Sequence, residues 1–161
     1  MPIHRKGSLP EDVYTSPYPP PFNIPDGLAR GRSIGDAGGL TQFGIHEETL
    51  EPGGVSAHRH WHEQEDEAAY ILGGCVTLVD DDGAHDLYPG DAVTFKAGAA
   101  NGHHLVNNSS APATYLIIGS RLPDEVAHYP DIDLLLTRVA GKSRFTHKDG
   151  SAIKEQSDAQ D

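Results

Sequence analysis

The chain has 161 residues, of which 37% are apolar, 18 are Gly and 12 are Pro; that length suits one domain, and the low apolar share leaves part of it outside any core. Its 24 acidic side chains against 12 basic ones give a formal net charge of −12, which repels phosphate backbones and anionic lipid headgroups and excludes nucleic acid and membrane surfaces as partners. The single cysteine, Cys75, excludes an intrachain disulfide and a multi-cysteine zinc site, and it fits a reducing, cytoplasmic setting. No apolar run approaches the roughly 20 residues that span a bilayer, and residues 1–9 lack the apolar stretch of a secretory signal.

Residues 1–40 carry Pro10, Pro17, Pro19, Pro20, Pro21 and Pro25, then Gly27, Gly31, Gly35, Gly38 and Gly39. No helical or strand period survives that density of breakers, so the segment reads as an extended arm. Its aromatics Tyr14, Tyr18 and Phe22 point to docking on something, because aromatic residues are scarce in disordered tails. Residues 41–51 read as a strand closed by a Pro52-Gly53-Gly54 turn. Strands are then expected over residues 55–62, 67–72, 75–79, 85–88, 92–95, 103–106 and 114–120, with an Asp-Gly hairpin at Asp82-Gly83 and a turn at Pro89-Gly90-Asp91. Many short strands at close spacing signal an all-β sandwich or barrel. Beyond Arg121 the pattern changes; the run Leu134-Leu135-Leu136 reads equally as a strand or a short helix, and residues 154–161 as a polar, frayed tail. The expected organisation is an arm over 1–40, a barrel core over 41–121 and a C-terminal extension over 122–161.

The chemistry concentrates after Gly54. Five residues separate Gly54 from His60, one separates His60 from His62, four lead to Glu67 and six to Gly74. Side chains alternate along a strand, so His60 and His62 project to one side about 7 Å apart, within reach of one ion. Glu67, arriving from the next strand, adds a carboxylate. Imidazole nitrogen with carboxylate oxygen suits one divalent transition metal, Mn, Fe, Zn, Co or Ni, better than Ca or Mg. His58, His60 and Glu65 satisfy the same histidine and glutamate spacings, which leaves a second register open.

A second cluster begins at Gly90-Asp91 and runs through Gly98 to His103 and Asn107. Together the two clusters resemble the signature motifs of the cupin superfamily. The stretches Arg59-His60-Trp61-His62, Asp66-Glu67 and Asn101-Gly102-His103-His104-Leu105-Val106-Asn107 are similar to those of small bacterial single-domain cupins, a likeness that covers roughly residues 38–149. It implies a double-stranded β-helix, a jelly-roll barrel, whose metal ligands would be His60, His62, Glu67 and His103. Gly54 and Gly74 fall at the family's turn positions only in this register, leaving His58 at the surface or the cavity mouth. The second motif departs from the pattern, with Lys96 where Pro is usual and two extra residues between Gly98 and His103.

Only one of His103 and His104 can face a barrel interior, and the motif selects His103. Trp61 then points outward, under the arm or into a dimer interface. His4, His46, His85, His128 and His147 read as surface or ordinary polar positions, and Cys75 as a small strand residue. Lys96 and Arg121 read as solvated charges that could also meet an anionic substrate. Cupins include isomerases, epimerases, decarboxylases, lyases, dioxygenases and plain binding proteins, so the likeness does not select a reaction. The expectation is a homodimeric, metal-dependent enzyme acting on a small polar metabolite, a sugar derivative or organic acid, by isomerase, decarboxylase or dioxygenase chemistry. The alternative is a non-catalytic sensor or binding module; no general base is assigned.

Overall fold

Alternating side chains along residues 43–50 and 113–120 place one row of each strand inside and one outside, and these two strands form the middle of the fold. The computed structural model describes residues 1–153; the tail expected to fray, 154–161, lies outside them. In chain order the elements are β1 (Asp12–Val13), β2 (Ala29–Ser33), α1 (Ile34–Ala37), β3 (Phe43–Leu50), β4 (Trp61–His62), β5 (Glu67–Gly73) and β6 (Val76–Asp80). They continue with β7 (Gly83–Leu87), β8 (Ala92–Phe95), β9 (His104–Val106), β10 (Ala113–Ser120), β11 (Glu125–Tyr129), β12 (Leu134–Val139) and β13 (Lys142–Thr146). One sheet runs β1-β2-β3-β10-β5-β8, a second β13-β12-β11-β4 and a third β7-β6-β9. All their pairings are antiparallel. Among the described residues, no helix is long and apolar enough to cross a membrane.

The inward row of β10, Ala113, Tyr115 and Ile117, meets Leu50 of β3, Ala69 and Ile71 of β5, Val76 and Leu78 of β6 and Leu105 of β9 in the main core. Each fully buried Leu, Ile or Val there contributes about 1.5–3 kcal/mol. Asn107 is wholly buried at the end of this core. Its amide donates to the carbonyls of Leu50 and Ala111, both at 2.8 Å, and its side-chain oxygen accepts from Ser109. The asparagine of the second motif therefore ties the turn before β10 and satisfies backbone oxygens that would otherwise be buried unpaired. Two glycines are equally constrained. A Cβ on Gly54 would lie 2.5 Å from the Leu28 carbonyl, and one on Gly74, at φ +75°, 2.6 Å from that of Pro112.

Two features depart from the sequence expectation, and a third decides an alternative it left open. The arm is not wholly extended: β2 pairs with β3 along its full length, and α1 comes directly after it. Ala-Arg-Gly-Arg-Ser shows no apolar alternation because Gly31 leaves room for the Tyr14 hydroxyl, and Arg30 and Arg32 bind Glu11, Glu47 and Glu51. Residues 55–62 do not form one strand. Val55 and His60 make isolated bridges, to Val106 and His103, before the two-residue β4, so the segment changes partner along its length. Beyond Arg121, Leu134–Val139 is a strand, and the adjoining β11 pairs directly with β4.

The arm's aromatics dock. Tyr18 is buried with Ala127, Tyr129 and Leu134 in a second core, against which Phe22 and Phe145 also pack. Its ring lies 5.7 Å from those of Tyr129 and Phe145 and 4.7 Å from that of His58. Tyr18→Ala should lower stability by about 3 kcal/mol in urea unfolding; a loss under about 0.5 kcal/mol, the range of ordinary surface substitutions, would show the arm to be idle.

Candidate metal centre and its cavity

Backbone pairing brings the two motifs together. His60 and His103 exchange amide–carbonyl hydrogen bonds of 3.1 and 2.9 Å, which sets their side chains beside one another across the strand pair. Two residues further along the chain, β4 holds His62 opposite Ala127 of β11. Glu67 opens β5 between Phe95 of β8 and Gly119 of β10. One potential ligand atom from each of His60, His62 and Glu67 lies within 4.8 Å of the others. His103 Nε2 is 3.1 Å from Glu67 Oε2, and its ring is 5.1 Å from that of His60. Phe95 stacks on the His103 ring at 3.5 Å and 2°, fixing its plane.

The donor set fits a divalent transition ion. His60 Nδ1 donates to the His58 carbonyl at 2.8 Å, which leaves Nε2 as the ligating nitrogen. The Nδ1 atoms of His62 and His103 are buried without a hydrogen-bond partner. Burial holds the His60 imidazole down at about pKa 4, against the opposing pull of the Glu67 charge, so it is neutral and free to ligate near neutral pH. Burial also raises the Glu67 carboxyl, but the His103 hydrogen bond, with the electrostatic pull of the three imidazoles around it, outweighs that and keeps the group below its usual value. The group His60, His62 and Glu67 could therefore hold a metal.

Around this cluster stand residues with supporting contacts. Glu125, wholly buried, lies 3.6 Å from His62 Nδ1 and accepts from the amides of Glu63 and Gln64 at 2.8 and 3.1 Å. It came without a sequence signal, because its strand matches neither motif. Glu65, the carboxylate of the second register, accepts from Arg138 and from the Leu122 amide, each at 2.7 Å. His58 is neither open surface nor cavity mouth: its Nε2 donates to the Phe22 carbonyl at 2.7 Å, so it faces the arm. His104 donates from Nδ1 to the Ala57 carbonyl at 2.9 Å. Trp61 is not under the arm; it stacks on His128 at 4.2 Å and 9°, the imidazole being the nearest flat partner that β4–β11 pairing offers.

His60, Glu67 and His103 line a cavity of about 320 Å³ that Glu48, Tyr115, His46 and Arg121 also line, while His62 borders the neighbouring depression; the volume is at the small end of ligand sites. His46, read from sequence as an ordinary polar position, bonds Ser33 through Nδ1 at 3.1 Å and turns Nε2 to Arg121, 3.5 Å away. Burial keeps it below its ordinary pKa. Arg121 also pairs with Asp36 at 2.5 Å. A Cβ on Gly44 would lie 3.0 Å from His46 Nε2 and 3.2 Å from Nε and NH2 of Arg121, so only glycine leaves these three nitrogens uncovered. Lys96 does not line this cavity but borders neighbouring depressions.

Comparison with known proteins agrees with this architecture. The Cupin_2 model, a cupin domain, matches residues 46–119. A protein from Silicibacter pomeroyi, described as a sugar phosphate isomerase from a cupin superfamily, is 41% identical with a TM-score of 0.89, over 95% of this chain and 97% of its own. One from Acidithiobacillus ferrooxidans, described as a candidate sugar phosphate isomerase, is 33% identical with a TM-score of 0.72, over 80% of this chain and 81% of its own. The polyketide cyclase RemF of Streptomyces resistomycificus shares the fold at 23% identity and a TM-score of 0.55, over 74% and 78% of the two chains. No curated protein matches the chain. The chain belongs to the cupin superfamily.

The cluster makes two outcomes measurable. Elemental analysis should find about one transition metal per chain in the wild type and in His58→Ala, but little in His62→Ala; metal retained in His62→Ala and lost from His58→Ala would transfer the site to the other register. In the metal-free protein, His60 has its folded-state pKa, about 4, below the ordinary 6.5, so between those values the unfolded chain binds the extra proton. Its contribution to stability is complete above about pH 6.5 and is lost as the pH falls towards 4. The wild type should lose more melting temperature between pH 7 and pH 5 than His60→Gln does, and equal losses would mean that the imidazole is not buried neutral.

Proposed function

We propose that the protein is a metal-dependent isomerase of small sugar phosphates, with His60, His62, Glu67 and His103 holding one divalent transition ion and the Arg121–His46 pair receiving the phosphate. The observation that carries this reading is the content of one cavity: a cluster of histidine and carboxylate donors and, in the same walls, an arginine and a histidine nitrogen over a glycine. Two relatives above 30% identity, one described as a sugar phosphate isomerase and one as a candidate for that activity, support it. When bound, a divalent ion would lend Lewis acidity to a substrate carbonyl and the adjacent hydroxyl.

The chain's own groups supply recognition. Arg121 gives planar N–H donors suited to phosphate oxygens, and the imidazole of His46, accepting from Arg121 through Nε2, helps hold that guanidinium in the cavity wall. Asp36, on the other edge of Arg121, holds the guanidinium in place, and its own carboxyl is held below the usual range chiefly by the hydrogen bond from Arg121. Gly44 keeps the approach to those nitrogens clear. The half-buried walls limit the water around the reacting carbons, which strengthens each of these contacts.

Protein loaded in turn with Mn, Fe, Zn, Co or Ni should interconvert at least one aldose–ketose phosphate pair, followed by NMR, and chelation should abolish the reaction. Arg121→Ala should raise KM about tenfold with a smaller effect on kcat, because a phosphate contact serves ground state and transition state alike. Tight binding of sugar phosphates without turnover on any metal would replace the isomerase with a non-catalytic binding protein.

A further inference from the structure

The cavity holds a carboxyl that the metal cluster and the phosphate contacts do not use. Glu48 sits on β3 with its side chain in the cavity wall, two residues from His46 and directly opposite Tyr115 of β10. The Tyr115 hydroxyl donates to Glu48 Oε2 at 2.8 Å. On its other flank, β2 presents Gly31, over which the Tyr14 hydroxyl lies so close that a Cβ would be 2.2 Å from it. The titratable groups facing Glu48 are thus Tyr115 from β10, Tyr14 from the arm, Glu67 from β5 and His46 on its own strand. No arginine or lysine among the described residues pairs with it, unlike Glu47 on the outer face, which is bound by Arg32.

We propose that Glu48 is the base that moves the substrate's carbon-bound proton, and that Tyr115 positions it. This rests on the isomerase reading above. A structural carboxylate half-buried in a cavity wall without a cation would be a net cost to folding, since its one side-chain partner is a hydroxyl. A carboxyl placed so in a ligand cavity is suited to carrying protons. Burial raises its pKa to about 7, with the Glu67 charge adding to the rise and the Tyr115 hydrogen bond opposing it, so both protonation states are accessible near neutrality. Burial and the Glu48 charge keep Tyr115 well above the usual tyrosine value, so it stays a donor.

The step balances without a redox partner. A Glu48 carboxylate oxygen takes the proton from the hydroxyl-bearing carbon beside the carbonyl. The C–H electron pair becomes the carbon–carbon double bond of an enediolate, and the carbonyl oxygen takes up the negative charge. Glu48 then returns its proton to the former carbonyl carbon, while the hydroxyl proton passes from one oxygen to the other.

The test uses metal-loaded protein in D2O with glucose 6-phosphate, mannose 6-phosphate, ribose 5-phosphate, arabinose 5-phosphate and glyceraldehyde 3-phosphate, following loss of the C2 proton signal. The wild type should exchange at least one of them, and Glu48→Gln should exchange it at least about 100-fold more slowly with metal content unchanged. Exchange by Glu48→Gln within about threefold of the wild type overturns the assignment and leaves the isomerase reading standing. Interconversion by the wild type without exchange overturns the Glu48 assignment alone, and neither exchange nor interconversion with any of the five overturns both. Independently of turnover, infrared or carbon-13 titration of the metal-free protein should show one glutamic acid protonating near pH 7 that is absent in Glu48→Gln. Tyr115→Phe should move that titration upward, because the hydroxyl stabilises the carboxylate; a Glu48 titration near that of an exposed glutamate overturns the proposal.

Discussion

The pair of backbone hydrogen bonds between His60 and His103 is the contact on which the site depends. The two residues belong to segments far apart in the chain, and this pairing sets two imidazoles side by side without asking any side chain to stretch. It also aligns the neighbouring segments: His62 meets β11 two residues on, and the turn after β9 closes on Asn107. The surrounding strands hold that bridge in place. β6 braces β9 from one side, and β11 braces β4 from the other.

Holding three histidines and a carboxylate in a half-buried interior is costly unless each is partnered or neutral. The chain meets that cost in different ways. His60 is neutral and donates to a carbonyl, while Glu67 accepts from His103. His62 has only the approach of Glu125, and its Nδ1 remains unsatisfied, as does that of His103. Glu65 and Glu125, which with His62 form a second group close enough to hold an ion, have oxygens engaged by backbone amides, and Glu65 also by Arg138. The ion pair and the amide bonds therefore separate structural carboxylates from the available one, Glu67.

Much of this was legible in the residues themselves. The strands from Phe43 to Ser120 show apolar alternation bounded by Gly and Pro, and most fall within one or two residues of where the pattern puts them. The spacing of His60, His62 and Glu67 placed them together, and Gly54 and Gly74 selected the register for a reason the structure makes concrete: a side chain at either would strike a carbonyl. β2, β11 and β13 were not legible. β2 buries only Gly31, β11 interrupts its buried row Glu125, Ala127 and Tyr129 with a charge, and β13 packs only Phe145 and Thr146 at its end, so no clear apolar period announces them, and pairing with β3, β4 and β12 makes them strands. Glu48 and Glu125 escaped for a related reason. Glutamate on a strand ordinarily reads as solvent-facing, and nothing local tells Glu48, in the cavity, from Glu47, outside it.

The central claim is that one ion sits where the two motifs meet. Anomalous diffraction from crystals of the protein loaded with Mn or Zn, recorded on either side of the metal's absorption edge, locates that ion without reference to activity. The expected result is one peak per chain, surrounded by His60, His62, Glu67 and His103. A peak among His62, Glu65 and Glu125, or no peak within reach of His60 and Glu67 after loading, would contradict it.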